Sequence, residues 1–184
     1  MVTTPDFDRA LRGADVVSAG LLSLPTGRLV AAEPPGLRAR DEVAAGAFVE
    51  TVPPGDYTVE VLHDDGVVTA ARVVVRPGPV SEWRPALTGD SHPDWTHVYF
   101  PVDGGTGSFG SVEVFETLTD PENAELMIAD FSFDHDEPSM SYTDEKTGVN
   151  VIGFPLGGDG RYGTYVGYTA NGEVACFLTD YGIS

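Results

Sequence analysis

Turn residues fall at such short intervals along this chain that only strands and brief helices fit between them. The 184 residues include 22 Gly and 14 Pro, and these gather into compact breaks: Pro25-Thr26-Gly27, Pro34-Pro35-Gly36, Pro53-Pro54-Gly55-Asp56, Asp64-Asp65-Gly66, Pro77-Gly78-Pro79 and Ala170-Asn171-Gly172-Glu173. Each combination supplies the fixed or positive φ that a tight turn needs. Between them lie segments rich in β-branched residues. In Tyr57-Thr58-Val59-Glu60-Val61 the apolar and polar side chains alternate, the pattern of a strand with one face in water. Strands are predicted over Asp15–Leu24, Arg28–Glu33, Phe48–Val52, Tyr57–His63 and Val67–Arg76, forming an antiparallel meander over residues 14–87. The Asn171-Gly172 pair predicts a closing hairpin from Thr164–Ala170 and Glu173–Asp180, within a C-terminal unit spanning 149–183.

Helical signals are few. Thr4, Pro5 and Gly13 bracket a helix of one or two turns. Ser111–Leu118 and Pro121–Asp130 suit short helices, the second with Asp120 as N-cap and Pro121 in its first turn. Ser132–Lys146 reads as an acidic surface loop, in a loop and short-helix segment running from 103 to 148. The expectation is one mainly β domain over 1–184: an antiparallel sheet curling into a sandwich or open barrel, with two or three short helices between Ser111 and Asp130.

Charge narrows the function classes. Asp plus Glu number 29 and Lys plus Arg 10, for a net −19. The imbalance is concentrated late: through Arg84 there are twelve acids and eight bases, and from Pro85 onward seventeen acids and two bases. A field of this sign repels phosphate backbones, so nucleic acid is not an expected partner. It suits a basic protein, and it also serves solubility. No apolar run approaches a membrane span, the first residues lack signal-peptide character, and the single Cys176 fits a reducing compartment. A soluble cytoplasmic protein is expected.

Two glycine-rich stretches carry one carboxylate each: Val102-Asp103-Gly104-Gly105-Thr106-Gly107-Ser108-Phe109 and Gly153-Phe154-Pro155-Leu156-Gly157-Gly158-Asp159-Gly160. Glycine permits positive φ or close approach of another group, so these stretches are the candidate site. Asp103, Asp159 and Asp180 each lie at or beyond a predicted strand end. If they converge, they could hold a divalent cation or act as an acid/base pair; if not, Asp103 and Asp159 organise their own turns. Known catalytic patterns are missing. There is no second Asp-Thr-Gly, no P-loop Lys-Ser/Thr, no EF-hand spacing around Asp134–Glu137, and no Gly-x-Ser-x-Gly around Ser108 or Ser111. His63, His92, His97 and His135 lack the spacing of a zinc site. Cys176, between Ala175 and Phe177, reads as a small core residue. No cofactor or metal is assigned.

Four blocks in this order, Val17-Ser18-Ala19-Gly20-Leu21-Leu22-Ser23-Leu24-Pro25-Thr26-Gly27, Val52-Pro53-Pro54-Gly55-Asp56-Tyr57, the Asp103 stretch, and the Asp159 stretch with its hairpin, resemble a bacterial family known as domain of unknown function 4241. The resemblance implies a β-rich fold and no established activity. Asp103, Thr106, Gly107, Gly158, Asp159, Gly160, Tyr165 and Asp180 match its pattern. Ser108 stands where the family has Cys, and Leu156-Gly157 where it has Gly-Trp. The ligand-binding candidates are therefore Asp103, Thr106, Gly107, Asp159, Tyr165 and Asp180. The functional expectation is a non-enzymatic acidic binding module, immunity-like or regulatory, that engages a basic protein; the alternative is a metal-assisted hydrolase using Asp103 and Asp159.

Overall fold

A computed structural model describes residues 7–13, 15–64, 67–89, 91, 98–131 and 139–182. In chain order the elements are α1 (Phe7–Gly13), β1 (Asp15–Leu24), β2 (Arg28–Ala32), a 3-10 turn (Pro34–Gly36), α2 (Arg40–Gly46), β3 (Ala47–Thr51), β4 (Gly55–Asp64), β5 (Val67–Val74), β6 (Glu82–Pro85), β7 (Tyr99–Val102), β8 (Thr106–Ser111), α3 (Val112–Leu118), α4 (Pro121–Asp130), β9 (Met140–Thr143), β10 (Asn150–Pro155), β11 (Gly160–Tyr168) and β12 (Val174–Asp180). The protein is mainly β, with four short α-helices among the described residues.

The strands form two antiparallel sheets. One runs β1-β4-β5-β12-β11-β6, with β7 also paired to β11; the other runs β3-β2-β8-β10-β9. They face each other across a core that includes Leu22, Leu29, Val59, Val73, Phe109, Ile152, Phe154, Val166 and Phe177. The second sheet is also covered on its outer side, where Val30, Val151 and Tyr142 pack with Val43 of α2, Phe115 and Leu118 of α3 and Met127 of α4. This double burial explains why Leu29-Val30-Ala31-Ala32 is apolar throughout: Leu29 and Ala31 point to one core and Val30 and Ala32 to the other. The outer side of the first sheet is covered where Phe7 of α1 joins Leu62, Ala70, Tyr165 and Leu178.

The expected meander does not form. β1 pairs with β4, and β2 leaves for the second sheet to pair with β3 and β8. The Pro25-Thr26-Gly27 turn is a corner between sheets. Gly27 sits at φ 71°, donates to the Leu24 carbonyl at 3.1 Å and accepts from the Val52 amide at 3.0 Å. That second bond ties the corner to the chain leaving β3, which a free hairpin turn would not require. Three further readings are corrected. Thr106–Phe109, read as part of a glycine-rich loop, belongs with Gly110 and Ser111 to the central strand of the second sheet. Met140–Thr143, read as loop, pairs with β10 as an edge strand. Arg40–Gly46, with no helix predicted, is α2; its N-cap is Ala39, and the carboxylate of Glu42 instead accepts the Arg38 and Ala39 amides at 2.8 and 3.2 Å.

The expected helix boundaries after β8 hold. Ser111 Oγ accepts the Val114 amide at 3.1 Å, and Asp120 Oδ1 accepts the Glu122 amide at 2.9 Å. The cap at Thr4–Pro5, the tip of the Asp64–Gly66 turn, His92, His97 and the run Asp134–Glu137 lie outside the described residues. No helix among the described residues is long and apolar enough to cross a membrane.

Candidate functional site

The two glycine-rich stretches are neighbouring crossings between the sheets. Residues 103–105 carry the chain from β7 in the first sheet to β8 in the second; residues 156–159 carry it back from β10 to β11. The flanking ladders end in register, at Val102–Gly160 on one side and Thr106–Pro155 on the other. The Leu156 amide bonds the Gly105 carbonyl at 2.8 Å, joining the two crossings directly. Gly105 turns at φ 67°, a conformation that costs glycine little.

Asp103 and Asp159 are the residues just beyond the Val102–Gly160 pair, so the topology brings them to one end of the same ladder. Both are exposed. The loop carrying Asp103 is held by a residue that sequence reasoning missed: Glu33, whose carboxylate accepts the Asp103 amide at 3.1 Å and the Gly104 amide at 2.5 Å. The only sequence signal for it was its place at a strand end before Pro34-Pro35-Gly36. On the other crossing, the Tyr162 hydroxyl donates to the Gly158 carbonyl at 3.0 Å.

The remaining candidates separate from this pair. Asp180 stands opposite Gly163, and Gly163 is four residues from Asp159 along β11. At about 3.4 Å per strand residue that is roughly 14 Å, too far for one ion to bridge. One Asp180 carboxylate oxygen accepts the Gly182 amide at 2.9 Å. Tyr165 is buried on the outer face of the first sheet, edge-on to Phe7 with ring centroids 4.8 Å apart. Burial raises its pKa, and nearby Tyr99 and Asp180 add to the effect. Thr106 is half-buried at the start of β8. Gly107 is buried under the Tyr181 ring: a methyl group on it would lie 2.8 Å from Tyr181 Cζ, closer still to the hydroxyl, and 3.0 Å from Phe154 Cε2. Tyr181 in turn meets Tyr162 and Phe154 edge-on, at 4.9 and 5.7 Å between centroids. The glycines of the first stretch thus make room for protein side chains.

Among the described residues no group of three or more His, Cys, Asp or Glu side chains could hold a metal ion. Beside the crossings, the open edge of the sandwich encloses a cavity of ≈ 350 Å³ between β2 and α2 on one side and β7 on the other. Glu33 lines it, so the residue that fixes the Asp103 loop also faces this space.

The model of the protein family of unknown function DUF4241 matches residues 22–179, and the chain belongs to that family. No curated protein and no solved structure matches it.

Proposed function

We propose that the protein is a non-enzymatic binding module, immunity-like or regulatory, that engages a basic protein partner through the outer face of α4. The observation that carries this reading is the composition of that face. Leu126 and Ile128, about 200° apart around the helix, flank its outer face on opposite sides and are 59% and 56% exposed, while Glu122, Glu125 and Asp130 are exposed on the same helix. The face lies within the part of the chain where seventeen acids meet two bases. Apolar residues supply desolvated contact area, and an acidic rim accelerates encounter with a cationic surface and sets its orientation. The single, buried Cys176 agrees with a reducing cytoplasmic setting. The test is purification from native lysate at low salt, repeated with the Leu126→Asn/Ile128→Asn variant. The reading expects a stoichiometric basic partner whose association slows with added salt, and which the variant fails to retain while keeping its circular dichroism spectrum. Recovery of free protein alone, or equal retention by the variant, overturns it.

One observation favours the second reading, a metal-assisted hydrolase: Asp103 and Asp159 follow the same closing strand pair. Two carboxylates and several waters would suit Mg²⁺ better than a cation that needs an all-protein cage. Calorimetric titration with Mg²⁺ and Mn²⁺ decides it. Saturable binding lost in a folded Asp159→Asn variant supports the reading, and absence of binding ends it.

A further inference from the structure

The cavity at the open edge of the sandwich has the size and lining of a small-molecule site. Its ≈ 350 Å³ falls within the range of ligand pockets, and most of its wall is apolar: Val30 and Ala31 of β2, Leu37, Ala45 of α2, Phe48 and Phe100. Among the described lining residues the only charged side chains are Glu33 and Glu42; no Lys, Arg or His is present. Both carboxylates are already held by backbone amides, Glu33 by Asp103 and Gly104 and Glu42 by Arg38 and Ala39. Fixing an acceptor before binding spares the entropy of ordering it later, which raises affinity for a ligand that matches.

These observations define the ligand by complementarity. An apolar body is needed to cover the aliphatic and aromatic walls. A cationic head is needed to face the two acids, because a carboxylate or phosphate head would meet two like charges at close range. At about 30 Å³ per non-hydrogen atom, the share of one liquid water, the space holds a molecule of roughly a dozen such atoms. We propose that this cavity binds a small amphiphilic amine, an alkyl- or arylalkylammonium, with its ammonium group directed to Glu33 and Glu42. The site is separate from the α4 face and stands or falls independently of it.

The probes are phenylbutylamine, phenylbutanol and phenylbutyrate, which share one tail and differ in head charge, titrated into the full chain by calorimetry at neutral pH. The proposal expects one amine per protein, bound about tenfold more tightly than the alcohol, with the carboxylate weaker than both. Glu42→Gln keeps an oxygen for the Arg38 and Ala39 amides and removes one of the two charges, so it should narrow the gap between amine and alcohol affinities while Glu33 retains part of it. Ala45→Leu fills the cavity and should abolish amine binding. If that variant does not fold, the wild-type amide NMR spectrum replaces it, with shifts on adding amine confined to Val30, Leu37, Phe48, Tyr99 and their neighbours. Equal affinity for the three heads, no amine binding at millimolar concentration, unchanged binding in a folded Ala45→Leu, or shifts elsewhere on the molecule each overturn the proposal.

Discussion

Replacing Gly107 by alanine separates two meanings of a glycine-rich stretch. If the glycine leaves room for a ligand, the added methyl group blocks binding and spares the fold. The structure argues for the other meaning, because that methyl group would sit 2.8 Å from Tyr181 Cζ and 3.0 Å from Phe154 Cε2 in the interior of β8. Contacts under 3.0 Å force movement, and inserting one methyl group into a packed core costs about 1–3 kcal/mol. Against this, Gly→Ala at an unstrained position gains about 0.4–1 kcal/mol by restricting the unfolded chain, so any net loss understates the clash. A net 1–2 kcal/mol would lower the melting temperature by about 2–8 °C for a domain of this size. Urea unfolding should show a lower midpoint at unchanged slope. Tyr181→Phe removes the closest atom, so the double variant should recover part of the loss, with a coupling of at least about 0.5 kcal/mol. Gly158→Ala is the control: nothing lies within 4 Å of the added atom, and it should leave stability unchanged or slightly raised. Wild-type stability for Gly107→Ala, or a larger loss for Gly158→Ala, refutes the packing account of these crossings.

Two further outcomes follow from single side chains. The amide of Asn150 caps the outer edge of β1, with Oδ1 accepting the Ser23 amide at 2.9 Å and Nδ2 donating to the Leu21 carbonyl at 2.8 Å; Asn150→Ala should therefore cost about 1–2 kcal/mol in urea unfolding, and a loss indistinguishable from zero would mean that water replaces both bonds. Burial pushes the Cys176 thiol up to about 12 from its ordinary 9.0. Its contribution to stability is thus complete below pH 9.0 and is lost as pH rises toward about 12, because only the unfolded chain releases the proton in that window. At pH 8 the native thiol should react with a disulfide reagent about a thousandfold more slowly than the urea-unfolded chain, and comparable rates would place Cys176 outside the core.

Most strand positions were legible because they rest on local patterns; β8, hidden in a glycine-rich stretch, and β9 were not. The Asn171-Gly172 turn marks the β11–β12 hairpin, where Gly172 takes φ 78°, and Asp120-Pro121 marks the start of α4. The allocation of strands to sheets was not legible. The Leu24–Gly27 bond that closes the turn after β1 would look the same in a hairpin; only the distant Val52 turns it into a corner. Likewise α2 begins at Ala39, which offers no capping side chain, and its start is secured by Glu42 reaching back. β9 has just four residues and is ordered by pairing with β10, against an acidic composition that reads as loop.

The candidate site shows the same division between local and distant causes. Glycine in a sequence reports that something comes close to the backbone, and it does not report what. At Gly107 and Gly110 the neighbour is an aromatic ring of this chain, Tyr181 in one case and Phe115 in the other. At Gly104 it is Glu33, seventy-one residues earlier in sequence. The carboxylates that drew attention, Asp103 and Asp159, do meet at one ladder end, but the acids fixed against a cavity are Glu33 and Glu42. Neither has a motif around it. Each is set by backbone amides supplied by a turn or a crossing, and its direction becomes visible only when the two sheets are assembled. Backbone donors orient the Glu33 and Glu42 carboxylates before a ligand arrives, although Glu42 is exposed to solvent as Asp103 and Asp159 are. Charge selectivity, if this protein exercises it on a small molecule, is therefore better sought at Glu33 and Glu42 than at the aspartates the glycines advertise.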